Sequence, residues 1–212
     1  MPRSSQLSFV CLVALSMCAL GCSMIATMVH AWNPNDTKAL YDGLRDKKTA
    51  VICRAESLEY SDPVVSRDLG AVVGRMLTQN DKKIAVIDHQ ELEEWTDANG
   101  KEDFKQIGRA LKAEMVVGIE LERFSIRQGS TLLQGQADLK IIVYDMKNGG
   151  RIAFEHRPKT IMFPPNGPIA SSDRQEAEFR RQFIGIVAEQ VAHTFYEYDS
   201  RAFAALDSTV LH

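Results

Sequence analysis

The sequence predicts an α/β (α+β) domain built on a single mixed β-sheet of about four or five strands with helices packed on it, in the order β-α-β-α-α-β-β-β-α. Three observations carry this. Short runs rich in β-branched residues, Ala50-Val51-Ile52-Cys53 and Ile84-Ala85-Val86-Ile87, alternate with helical apolar spacing in the first half, which implies a parallel portion. Two longer stretches, Met115 to Phe124 and Leu133 to Tyr144, show the period of two expected of strands with one buried and one wet face. Finally, Asn148-Gly149-Gly150 supplies the positive-φ residues of a tight turn, so Arg151 to Glu155 returns antiparallel.

Residues 23 to about 47 have no firm period and contain the breaker cluster Asn33-Pro34-Asn35-Asp36, so they read as a tether with a helical turn or two around Thr37 to Leu44. Ser61 and Asp62-Pro63 open a helix in which Val65, Leu69, Val72, Val73 and Met76 recur at helical spacing. Gly70 and Gly74 lie within that helix and suit close packing on a sheet. A phosphate cradle would need a Gly-rich loop ahead of the helix instead. Asp88 with Glu91 forms a capping-box pattern for a helix from His89 to Trp95. Asp103 to Lys112 is helical again, with Phe104, Ile107 and Leu111 on one face. Ala113-Glu114 then leads into a strand where Val117, Ile119 and Leu121 alternate with Gly118, Glu120 and Glu122. The segment from Pro158 to Ile169 carries Pro158, Pro164, Pro165 and Pro168 and reads as a loop. Ser172 with Gln175 then opens a long helix with Phe179, Phe183, Ile186, Val187 and Val191 on one stripe. The expected layout is a signal peptide over 1–21, a lipidated Cys22 and tether over 22–47, the α/β domain over 48–198 and a tail over 199–212.

The leader predicts the address. Arg3 and the amino terminus form a short positive region, followed by an apolar run from Leu7 to Leu20, the pattern of an export signal. Ala19-Leu20-Gly21-Cys22 resembles the lipobox of bacterial lipoproteins, with Ala19 where leucine is usual. The resemblance implies acylation of Cys22 (a diacylglycerol cysteine with palmitate-type chains) and attachment to the membrane through that lipid. Two other readings stay open: cleavage after Val29-His30-Ala31 to release a protein starting at Trp32, or an uncleaved span over Leu7 to Val29, which is 23 uncharged residues. All three export the domain. In a Gram-negative host, Ser23 after the cysteine would favour the outer membrane, with the domain facing the periplasm.

With leader and tether removed, about 165 of the 212 residues remain, enough for one core. Net charge −3 and a pI near 6.0 offer no electrostatic pull toward nucleic acid, so none is expected as a partner. Cys11 and Cys18 lie in the leader. If Cys22 is acylated, Cys53 is unpaired and reads as a buried, inert thiol.

No nucleophile elbow, Walker loop, dinucleotide fingerprint or H-E-x-x-H motif occurs, so no catalytic residue, cofactor or metal is expected. His89 with Glu91, Glu93 and Glu94 reads as a solvated helix face and His156 as a partly buried histidine. Glu120 and Glu122 read as solubilising groups on a wet strand face. A partner surface is expected on the Pro158 to Ile169 loop, through Met162 and Phe163. The alternative reading continues Ile161 and Phe163 as a strand into the domain's own core.

Ile107-Gly108-Arg109-Ala110-Leu111-Lys112-Ala113-Glu114-Met115-Val116-Val117-Gly118 resembles a segment of several envelope protein families: the TolB N-terminal domain, the curli-secretion lipoprotein CsgG and the penicillin-binding-protein activator LpoB. Gln134-Gly135-Gln136-Ala137, the alternation up to Asp145 and the Gly149-Gly150 turn extend the similarity over about residues 49 to 157. It implies a TolB-N-like domain acting through contacts with another envelope protein or with itself. Lys112 stands where these families often carry glycine, no β-propeller follows, and no long amphipathic hairpins like those of the CsgG pore are present, so no functional residue transfers. The function expected is therefore a lipid-anchored envelope interaction or assembly module. The alternative is a small-ligand-binding protein or hydrolase whose site is dispersed along the sequence.

Overall fold

The computed structural model describes residues 36–55, 63–100, 103–170 and 173–199. The leader, Cys22 and most of the expected tether and tail lie outside these. The described residues fall into two units. The described part of the smaller one is an antiparallel ladder of β1 (Asp36–Thr37) and β9 (Tyr198–Asp199), in which Thr37 pairs with Tyr198.

The larger unit, Lys38–Glu197, holds the sheet. Its elements are β2 (Lys48–Ala55), α1 (Pro63–Asn80), β3 (Ala85–Val86), α2 (His89–Asn99), α3 (Phe104–Ala110), β4 (Met115–Gln128), β5 (Leu132–Asp145), β6 (Arg151–His156), β7 (Ile161–Phe163), β8 (Ile169–Ala170) and α4 (Asp173–Ala192). The strand order is β3-β2-β4-β5-β6, with β7 and β8 also paired to β5. β3, β2 and β4 run parallel, and the remaining pairs are antiparallel. The mixed α/β sheet and the order of its main elements agree with the sequence prediction.

The parallel portion is covered on both faces, which is why β2 reads as a continuous apolar run. Val51 and Cys53 meet α1, which comes close because Gly70 and Gly74 face them: a Cβ on Gly70 would stand 3.5 Å from the Cys53 nitrogen. On the other face Ala50 and Ile52 join Leu92, Phe104, Ile107, Val116 and Ile142 in a cluster built with α2 and α3. This second cover alters the expected alternation of β4. Met115 through Ile119 are all buried, because the Phe104 ring lies over Gly118, and a wet face begins only at Glu120.

Where α3 turns into β4, Lys112 adopts φ 52°, and the Ala113 N–H donates to the Gly108 carbonyl at 2.8 Å, closing the helix. A Cβ is disfavoured in this left-handed region, so the position would suit glycine better than lysine. A Lys112→Gly variant is expected to raise the unfolding free energy by about 1 kcal/mol in urea titration. Destabilisation would contradict this.

Three differences from the sequence reading stand out. Residues Tyr41 and Leu44, expected in the tether, belong to the larger unit: Leu44 is fully buried, and the Tyr41 ring stacks on Phe154 at 5.1 Å. The expected Asp88–Glu91 capping box does not form: Asp88 caps the helix alone, its Oδ1 accepting from the N–H of Gln90 rather than Glu91, at 2.9 Å. A complete box occurs instead at Asp103 and Gln106. The proline-rich segment is not free of secondary structure, because β7 and β8 within it extend the sheet along β5. Ser172, expected to cap α4, lies outside the described residues.

Candidate functional site

The sheet-facing side of α1 carries Leu69, Gly70 and Val73, and one turn earlier Ser66 occupies the same buried side. A hydroxyl there is out of keeping with the apolar stripe. Ser66 is only 8% exposed and its hydroxyl meets the Cys53 thiol, while Arg54 Nη2 and His89 Nε2 are buried side-chain atoms without a hydrogen-bond partner among the described residues. Such groups are costly to bury unpaired. All three residues line one cleft of about 470 Å³.

The cleft lies where β2 ends, against the first turn of α1 and the start of α2. The topology opens it. The β2-to-β3 crossover runs through α1 on one face and the β3-to-β4 crossover through α2 and α3 on the other, leaving a crevice at the carboxyl end of β2. Its walls include Ile52, Val64, Leu92 and Ile107. Arg54, near the end of β2, lies over the Phe104 ring at 4.9 Å. Burial pushes Arg54 below its ordinary value while the Asp103 carboxylate opposes the shift, and a guanidinium stays charged throughout. Asp88 caps α2 and so fixes the position of His89, whose Nε2 is 3.3 Å from Glu93 Oε1 but off the hydrogen-bonding direction. Glu93 is also engaged by Arg67 at 3.1 Å. Burial pushes the neighbouring Cys53 thiol to about 12, partly relieved by a contact with Ser66, so it is no nucleophile at neutral pH.

Of the sequence-predicted site residues, Cys22 lies outside the described residues. Met162 and Phe163 point to opposite sides of β7. Met162 pairs with Gln136 and is 47% exposed, whereas Phe163 pairs with Gly135 and packs against Phe179 at 5.7 Å, only 3% exposed. A partner reaching this strand would touch Met162 and not Phe163.

The remaining candidates find structural employment. Glu120 and Glu155 share Lys140, at 3.8 and 3.3 Å, and Glu122 pairs with Arg157. His156 sits beside the Phe154 ring. Desolvation holds His193 down to about 4, and its ring lies edge-on to Tyr196 at 5.6 Å. Among the described residues no group of three His, Cys, Asp or Glu side chains is placed to hold a metal, and no helix is long and apolar enough to cross a membrane.

No known protein family matches the chain, and no curated protein sequence is significantly similar to it. Solved structures similar to it include bacterial lipoproteins. Lipoprotein GNA1162 from Neisseria meningitidis is 15% identical, the match covering 68% of this chain and 96% of that one with a TM-score of 0.44. The PelC dodecamer from Paraburkholderia phytofirmans is 14% identical over 76% and 96% of the two chains, with a TM-score of 0.42. The LpoB C-terminal domain from Salmonella enterica is 12% identical over 55% and 83%, with a TM-score of 0.36.

Proposed function

We propose that this chain is a lipid-anchored cell-envelope protein acting as a periplasmic interaction or assembly module, held to a membrane through Cys22 and docking on another envelope protein or on a second copy of itself. The lipobox-like Ala19-Leu20-Gly21-Cys22 supports the anchor, and Ser23 fits the outer membrane of a Gram-negative host. The observation that carries the interaction is an open sheet edge. β6, β7 and β8 together line one side of β5, and among the described residues no strand pairs with their outer side. Unpaired main-chain groups on such an edge can accept an added strand. Ile152, Met162 and Ile169 on these strands are 49%, 47% and 41% exposed. Arg151, Glu155 and Lys159, interspersed with them, would limit indiscriminate pairing.

Substituting Ile152→Lys and Met162→Lys tests the edge. Because both side chains are exposed, stability should change by no more than about 0.5 kcal/mol per site, while self-association or partner crosslinking is abolished. Association that survives both changes would remove the edge from the proposal, and a large fall in melting temperature would assign these side chains to packing.

A further inference from the structure

At one end of the sheet the strands finish in line. Lys48 lies opposite Ala85, Thr49 opposite Met115, Met115 opposite Asp145 and Asp145 opposite Arg151, so the starts of β2, β3, β4 and β6 and the finish of β5 form one rim. A basic residue stands at or just beyond this rim on every strand: Lys82 and Lys83 before β3, Lys48 at β2, Lys112 before β4, Lys147 after β5 and Arg151 at β6. At about 4.8 Å between neighbouring strands, the row is about 20 Å wide. Main-chain hydrogen bonds hold it in place. The Asp46 N–H donates to the Lys83 carbonyl at 2.7 Å, the Glu114 N–H to the Lys48 carbonyl at 2.7 Å and the Met146 N–H to the Glu114 carbonyl at 2.9 Å. We infer that this rim rests on an anionic lipid surface. The inference needs the chain to be held at a membrane, as proposed above, and is independent of docking by the sheet edge.

The charge of the rim runs against that of the molecule, since the whole chain carries −3. Acids do occur at this end, and most are already engaged. Arg45 lies 2.7 Å from Asp81 and within the field of Asp42 and Glu197, Glu114 is paired with Lys147, and Asp145 lies across from Arg151. Asp46 is the further acid, beside Lys83. Lys82, Lys83 and Lys112 are exposed and make no ion pair among the described residues, which leaves their charges available to a surface.

The course of the chain says which surface. Tyr41, within the field of Asp145, and Asp46, bonded to Lys83, lie at this end, so the segment leading back to Cys22 joins the larger unit beside the rim. From Cys22 to Lys38 the chain spans at most about 55 Å fully extended, which keeps the domain close to the bilayer with this end nearest its attachment. Lysines so placed meet headgroup phosphates, and each one brought to an anionic surface strengthens the hold about fivefold. The competing role for these residues is local. Lys82 and Lys83 follow the end of α1 and Lys112 the end of α3, where a cation also favours the helix dipole. That role is indifferent to lipid.

The test reconstitutes the full chain, purified from cells, in liposomes of phosphatidylcholine alone or with about 30% phosphatidylglycerol, each containing a lipid with a headgroup quencher. A fluorescent side chain is placed at Asn80, exposed beside the rim, or at Ser130, exposed on the turn between β4 and β5 at the far end of the sheet. Quenching at Asn80 is expected with phosphatidylglycerol, falling at least about fivefold without it and in about 0.5 M salt, with none at Ser130. The combined change Lys82→Glu, Lys83→Glu and Lys112→Glu should abolish it, and the milder pair Lys82→Gln and Lys83→Gln, which keeps the variant test open if the first melts early, should reduce it. Equal quenching at both positions, quenching at Asn80 that ignores phosphatidylglycerol, or quenching that survives the charge changes overturns the inference. Failure of the anchor shows separately, as an amino-terminal peptide whose mass lacks an acyl group, and quenching at Asn80 by anionic liposomes then still decides the rim.

Discussion

A Cys22→Ala variant is expected to lose all fatty-acid label and to accumulate with its leader uncut. The wild-type chain should carry the label and partition into detergent. The effect is all-or-none because one side chain supplies the attachment, and the short uncharged stretch left after residue 22, ending before Asn33-Pro34-Asn35-Asp36, is too brief to span a bilayer. The rival readings of the leader make different predictions for the same variant. Cleavage after Ala31 gives an unlabelled mature protein starting at Trp32 whether or not Cys22 is present. An uncleaved Leu7–Val29 span keeps both proteins in the membrane with an intact amino terminus. Label that persists in Cys22→Ala would refute the anchor assignment.

Phe183→Ala is expected to cost the larger unit about 3–5 kcal/mol in urea denaturation, a large share of the stability of a domain this size. Phe183 is fully buried on α4, its ring 5.1 Å from that of Phe124 and laid directly on Gly135 of β5. Gly135 leaves the space: a Cβ there would come within 2.6 Å of the Phe183 ring, so Gly135→Ala should also destabilise, by about 1–3 kcal/mol. The two changes share one contact and should not add, since removing the ring frees room for the methyl group. Additive losses, or a loss below about 1 kcal/mol for Phe183→Ala, would place the α4 contact elsewhere.

Most of this packing could be read in the sequence, and the exceptions have physical causes. Strands β4 and β5 and helices α1 and α4 announce themselves by period, because each presents a regular face to a partner, and β2 by an unbroken apolar run, because it is covered on both faces. Gly70 and Gly74 were interpretable for the same reason, as a helix meant to lie close on a strand. The alternation predicted at Gly118 failed because the Phe104 ring, brought in from a separate helix, covers what would otherwise be a wet face.

β7 and β8 are short, proline-flanked edge strands of three and two residues, too brief for a period to show, so the segment read as loop. Tyr41 and Leu44 pack singly from an irregular segment, with no repeat to mark them. The cleft was invisible as a motif because Arg54, Ser66 and His89 come from three elements. Its one local sign was Ser66 among Val65, Leu69, Val72 and Val73, a polar residue on a stripe that packs against the sheet.

Docking by the open sheet edge of a domain anchored through Cys22 is decided by a photo-crosslinking side chain placed at Met162 in intact cells, with a matched one at the exposed Thr78 of α1 for comparison. One discrete adduct is expected from Met162, to an envelope protein or to a second copy of the chain, none from Thr78, and loss of the adduct in Cys22→Ala. No adduct from Met162, or the same adducts from both positions, would contradict it.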